Sequence, residues 1–142
     1  MKIGAHPIFQ RNATFGIDLL QLERRCSATC QDYFSALAPH VAPIGDGRAN
    51  IVIDRGESVL GVAHLDHVQQ AKHFRVEPRE EDLVVYNPRL DNRLGVYLLL
   101  DLLPELGLGF DVLLTMDEEI GESTASKFAP ASAAISTETQ RA

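Results

Sequence analysis

Apolar residues recur along this chain with two different periods, and the switch between them marks out the elements. Over residues 15–37, Leu19, Leu20, Cys26, Cys30 and Phe34 fall roughly on one side of a helix, with Glu23, Arg24, Arg25 and Asp32 opposite. That pattern predicts a first helix, closed by Pro39 and a turn-rich connection through Ala42-Pro43-Ile44-Gly45-Asp46-Gly47. Residues 50–55 and 58–64 are rich in β-branched side chains and separated by Gly56-Glu57, which predicts a hairpin or two adjacent strands. Residues 68–81 are polar, 83–86 read as a short strand, and Asn87-Pro88 as a turn.

A second helix is predicted over residues 92–106, with Asp91 as its N-cap. Its apolar stripe is Leu94, Leu98, Leu99, Leu102, Leu103 and Leu106; Pro104 predicts a kink or early stop, and Gly107 the terminator. Residues 110–116 are an apolar strand that runs directly into Asp117-Glu118-Glu119, and residues 121–128 read as the start of another helix. The stretch 129–142 is rich in Ala, Ser and Thr without a period, and is expected to be a poorly ordered tail.

Helices alternating with buried strands predict an α/β fold, a central mixed or mostly parallel sheet flanked by helices, with residues 15–37 and 92–106 packed on it. The 142 residues suit a single domain, 1–142, with 45% apolar and 23% charged residues. A net charge of −7 argues against binding nucleic acid or anionic lipid. Asp101, Pro104 and Glu105 interrupt the most apolar segment, so no membrane span is expected, and the N-terminus lacks a signal-peptide pattern. These features predict a cytoplasmic protein. Cys26 and Cys30, four apart on one predicted helix face, are expected to be free thiols.

Chemistry enters at the ends of the elements. His64 and Asp66 end one predicted strand, Asp91 starts a helix, and Glu118 and Glu119 follow another strand. In open α/β sheets, ligands gather outside the carboxyl ends of strands, so these distant segments would converge at one edge. Taken singly, each residue has a plain structural use: His64 as an ordinary strand-end residue, Asp66 as a loop acid, Asp91 as a cap, and the glutamates as helix-dipole partners. Together they offer imidazole and carboxylate, the donors that zinc takes. Asp66 would accept the second imidazole N–H of His64 and fix its tautomer. A strand ending in three acids must also manage their repulsion, and a bound cation would do so.

The segments Gly61-Val62-Ala63-His64-Leu65-Asp66-His67-Val68, Leu90-Asp91-Asn92-Arg93-Leu94-Gly95-Val96 and Leu114-Thr115-Met116-Asp117-Glu118-Glu119-Ile120-Gly121 form a set. In order and spacing this set resembles the co-catalytic two-zinc exopeptidases, a superfamily of aminopeptidases, carboxypeptidases and related deacylases. The resemblance covers about residues 50–128. It implies a phosphorylase/hydrolase-like catalytic domain and cleavage of peptides or N-acyl amino acids. It also implies two zinc ions, with cobalt or manganese as substitutes. By position, His64 would bind one zinc, Glu119 the other, and Asp91 would bridge them. Glu118 would be the general base toward metal-bound water, and Asp66 the orienting acid.

The family also carries a later Asp or Glu ligand and a last His. After Glu119 the sequence offers only Glu122 and Glu138 as carboxylates and no histidine. Three explanations stand open: a truncated or frame-shifted member, weakly active or inactive alone; a site completed by a partner chain or by His67 or His73; or a non-catalytic metal-binding or interaction module on this fold. The first is favoured because residues 129–142 do not read as a core element. A truncated sheet would expose an edge and favour a homo-oligomer.

Overall fold

The computed structural model describes residues 17–68 and 73–128. The predicted first helix is two: α1, Leu19–Ser27, and α2, Cys30–Ala36. The break lies at Ala28, which is extended, and Thr29 restarts the helix through a capping box. Its side chain accepts the Asp32 N–H while the Asp32 carboxylate accepts the Thr29 N–H. Cys26 and Cys30 therefore sit in different helices rather than on one helix face, and both are free thiols.

The turn-rich connection contains a strand. β1, Val41–Gly45, forms a hairpin with β2, Arg48–Ile53, around Asp46 and Gly47, both at positive φ. Pro43 is tolerated because β1 is an edge strand and the register is irregular between Pro43 and Gly45. β3, Leu60–His64, does not pair with β2 as its proximity in sequence suggests. β4, Arg75–Arg79, and β5, Asp82–Tyr86, form a separate antiparallel pair, so the polar stretch 68–81 contains a strand. The last strand, β6, Asp111–Thr115, inserts between β2 and β3, giving the order β1-β2-β6-β3. It is antiparallel to β2 and parallel to β3. The fold is mixed α/β with a small mixed sheet.

Helix α3, Leu90–Tyr97, runs on through one π turn, Leu98–Leu102, into a last helical turn, α4, Leu103–Glu105. Pro104 has no N–H to donate and lies in this last turn, just after the π turn. Gly107, at φ 79, closes the helix: its N–H bonds the Pro104 carbonyl and Leu108 N–H bonds Leu103, a Schellman arrangement. After β6, residues 121–128 form a short 3-10 turn, Thr124–Lys127, rather than a helix. The 129–142 tail lies outside the described residues.

Two apolar clusters hold these elements. One lies between the sheet and the helices: Ile51, Ile53, Ala63, Val112 and Leu114 from the strands meet Tyr33 of α2 and Val96 and Leu99 of the α3 rod. Gly61 admits Leu99 so closely that an added Cβ would stand 2.2 Å from its Cδ2. The second cluster joins Leu19, Leu22 and Cys26 of α1 to Tyr97 and to Val76 of the β4–β5 pair. Thus α2 and α3 pack on the sheet, while α1 packs on α3 and the β4–β5 pair. The leucine stripe is split between these clusters, and Leu94 and Leu106 are exposed.

Among the described residues these helices lie on one sheet face. On the other, Val62 and Leu60 are exposed, and the Thr124 segment is bonded to Asn50. No helix among the described residues is long and apolar enough to cross a membrane.

Candidate metal centre

Parallel pairing brings the site together. In the β3–β6 ladder His64 is the register partner of Thr115, so the two strands end side by side, and Leu65 N–H continues the pairing to the Thr115 carbonyl at 2.8 Å. The segment after β3 carries Asp66, and the one after β6 carries Glu118 and Glu119. The start of α3 brings Asp91 against His64.

His64 is held from both ring nitrogens. Nδ1 lies 3.0 Å from the Asp66 carbonyl oxygen and 3.4 Å from Asp66 Oδ1. Nε2 lies 3.1 Å from Asp91 Oδ1 and 3.7 Å from Glu118 Oε2. The imidazole is buried, whereas Asp91 keeps 81% of its side chain exposed and Glu118 51%. Burial disfavours the imidazolium, but its hydrogen bonds to the Asp66 carbonyl and the Asp91 carboxylate, with the charges of Asp66 and Glu118, outweigh it. The His64 pKa is raised above its usual value.

Asp66 does more than orient His64. Its Oδ2 accepts the Glu119 N–H at 2.9 Å, tying the first segment to the third. Its Oδ1 is buried with no hydrogen bond of its own.

Asp91 corrects the expectation of a helix cap. Its backbone is extended (φ −91, ψ 103), the Asp91–Asn92 peptide is cis, and no side chain caps this helix start. The Asp91 carboxylate faces His64 instead.

The acidic triplet is also divided. Asp117, at φ 63 in the left-handed region, turns its carboxylate away to Arg48, whose Nε lies 2.9 Å from Oδ2. Arg48 Nη2 donates to the Glu122 carbonyl, and Glu122 N–H to the Asp117 carbonyl, which closes the loop at both ends. One of the three acids is therefore neutralised by an arginine rather than a cation. Nothing in the strand pattern of Arg48 signals this role.

The remaining donors suit a divalent cation. Ligand atoms of His64, Glu118 and Glu119 all lie within 4.8 Å of one another. Tetrahedral zinc with bonds of about 2.1 Å spaces its ligands about 3.4 Å apart. The 3.1 and 3.7 Å separations of His64 Nε2 from Asp91 and Glu118 bracket that spacing. Glu118, expected as the base, belongs to the same group of potential ligands as Glu119, so grouping alone does not separate the two roles. Asp91, expected as the bridging ligand, lies against His64 but outside this group; neither His67 nor His73 belongs to it, and Glu138 lies outside the described residues.

An apolar cavity of about 240 Å³ lies between α1, α3 and the β4–β5 pair, lined by Leu22, Leu83, Leu90, Leu94 and Leu98 among others; none of the metal-group residues lines it. No protein-family model, curated protein or solved structure matches this chain.

Proposed function

We propose that this protein is a zinc-dependent amide hydrolase of the co-catalytic exopeptidase type, acting on a peptide or N-acyl amino acid. The observation that carries the reading is the grouping of His64 with Glu118 and Glu119 from two distant segments, with Asp91 from a third beside His64 Nε2 and Asp66 behind the imidazole. His64, Asp91 and Glu119 would hold the metal. Zinc bound there supplies Lewis acidity to a carbonyl and brings the pKa of a water toward neutrality.

The chain's own groups have separate tasks. The Asp66 carbonyl fixes the imidazole with Nδ1 inward, with the Asp66 carboxylate 3.4 Å away, leaving Nε2 toward the cation. Asp91, largely exposed, is open to a cation from solvent. The half-exposed Glu118 carboxylate can take a proton from the attacking water and hand it to the departing amine. Two ions would each have two protein ligands among the described residues, where three are usual. Binding by this set is therefore weak and turnover slow. A non-catalytic metal-binding or interaction module is the second reading, favoured by the same thin ligand set.

The test is an aminopeptidase assay with added zinc or cobalt, run with metal analysis on the parent, His64→Ala and Glu118→Gln. The hydrolase reading expects metal uptake and slow turnover by the parent, and loss of both in His64→Ala. In Glu118→Gln turnover should fall about 10²–10⁴-fold with metal retained. Metal uptake with no turnover by the parent would favour the module, and no uptake after reconstitution would defeat both metal readings.

A further inference from the structure

We infer that Arg93 is the positioning residue of the metal centre: it fastens the His64–Asp66 segment to the start of α3, where Asp91 lies. The inference rests on the reading of that site as metal-binding. Arg93 is fully buried, and among the described residues it has no carboxylate within ion-pair distance. Removing a guanidinium from water is costly unless every donor is met, and an apolar side chain would fill the same space more cheaply. Its partners therefore explain its presence.

Nε donates to the Leu65 carbonyl at 3.0 Å. Nη1 donates to the carbonyls of Arg25 and Ala28 at the end of α1, Nη2 reaches Cys30 Sγ at 3.8 Å, and the group lies 4.8 Å from the centre of the Tyr33 ring. The α1 end does not need Arg93 alone, since Arg89 also faces the Cys26, Ser27 and Ala28 carbonyls. Arg89 does not reach Leu65; the Leu65 carbonyl is held by Arg93 Nε and, at 3.5 Å, by Cys30 Sγ, which Arg93 Nη2 in turn contacts. Leu65 is the residue between His64 and Asp66. Its N–H is held by Thr115 and its carbonyl by Arg93 at 3.0 Å, the shorter of its two bonds, so both peptides around it are fixed. That orientation aims the Asp66 carbonyl at His64 Nδ1 and Asp66 Oδ2 at the Glu119 N–H. Lysine, a point charge without a planar fork, cannot span these acceptors.

The experiment compares the parent with Arg93→Lys and, as a control that shares the α1 end, Arg89→Lys. Zinc affinity is measured by titration. In the metal-free proteins, NMR follows the His64 Nδ1–H, which the bond to Asp66 should keep slow to exchange. Folding is checked by urea unfolding. Arg93→Lys should bind zinc about 10–100-fold more weakly and lose protection at His64 Nδ1–H. Arg89→Lys should keep parental affinity and protection even where its unfolding midpoint falls. A folded Arg93→Lys with parental affinity and a parental His64 signal would overturn the inference. Should Arg93→Lys not fold, the parent decides: the Arg93 Nε–H should be protected from exchange and shift on zinc addition, and a freely exchanging Nε–H would overturn it. If the parent takes up no zinc, the site reading fails, while protection of the His64 and Arg93 protons in the metal-free proteins still decides whether Arg93 sets the imidazole.

Discussion

Replacing Thr124 with valine keeps the shape of a fully buried side chain and removes only its hydroxyl. That hydroxyl donates to Asn50 Oδ1 and accepts the Met116 N–H at 2.8 Å, just before the acidic turn. Without it, the Asn50 oxygen, in a residue 1% exposed, and the half-buried Met116 N–H both lose their partner. Each unpaired group costs about 1–3 kcal/mol, with the amide toward the lower end because water can reach it, for a loss of about 2–4 kcal/mol. A methyl group in place of the hydroxyl returns about 0.8 kcal/mol, leaving a net destabilisation of roughly 1–3 kcal/mol. With a urea dependence of about 2 kcal/mol per molar, the unfolding midpoint should fall by about 0.5–1.5 M. Thr124→Ser, which keeps the hydroxyl and loses the methyl, should retain more stability than Thr124→Val. A valine variant with the parental midpoint, or a serine variant less stable than the valine one, would refute the assignment of the energy to these hydrogen bonds.

The thiols should separate cleanly: Cys26 has no exposure and burial pushes its pKa up to about 11, so at pH 8 only roughly one part in a thousand would be thiolate. Ellman titration of the native protein should therefore count Cys30 and not Cys26, and both in urea; two equally fast thiols in the native state would contradict the burial of Cys26. The Asp32 carboxyl is held below its usual pKa by the Thr29 backbone N–H and then by the Thr29 hydroxyl, so it stabilises the fold fully above about pH 4, and that contribution is lost as pH falls through its lower folded value. Asp32→Asn should accordingly flatten the acid side of the stability curve, and an unchanged acid dependence would show that the capping box carries no such linkage.

The residues of the site were readable because each sits where an element ends, and the parallel β3–β6 register turns those ends into neighbours. Pattern alone could not supply the order of the strands. Runs 50–55 and 58–64 look like a hairpin, yet β6 arrives from far along the chain to lie between them. Its Val112 and Leu114 complete an apolar face that neither flanking strand can bury alone. The long first helix failed for a local reason. The apolar period continues past Ser27, but Thr29 and Asp32 satisfy each other's backbone donors and make a second helix start more favourable than continuation. β1 was hidden because Pro and Gly are turn residues by composition, and an edge strand with an irregular register is where a sheet tolerates them.

Asp91 is where the local rule and the structure part most usefully. Aspartate at a helix start is a favoured cap, and a side-chain cap contributes about 1 kcal/mol. Here the first turn goes without one, and Arg93 N–H is bonded to the Arg89 carbonyl instead. The carboxylate that could have capped the helix lies 3.1 Å from an imidazole nitrogen, and another carboxylate lies 3.7 Å from the same atom. Two anions around one nitrogen do not improve the packing of this fold. The stability forgone at the helix start instead sets a mixed donor set at the edge of the sheet. Such a departure from local preference is expected where a side chain is kept for a ligand rather than for its own helix.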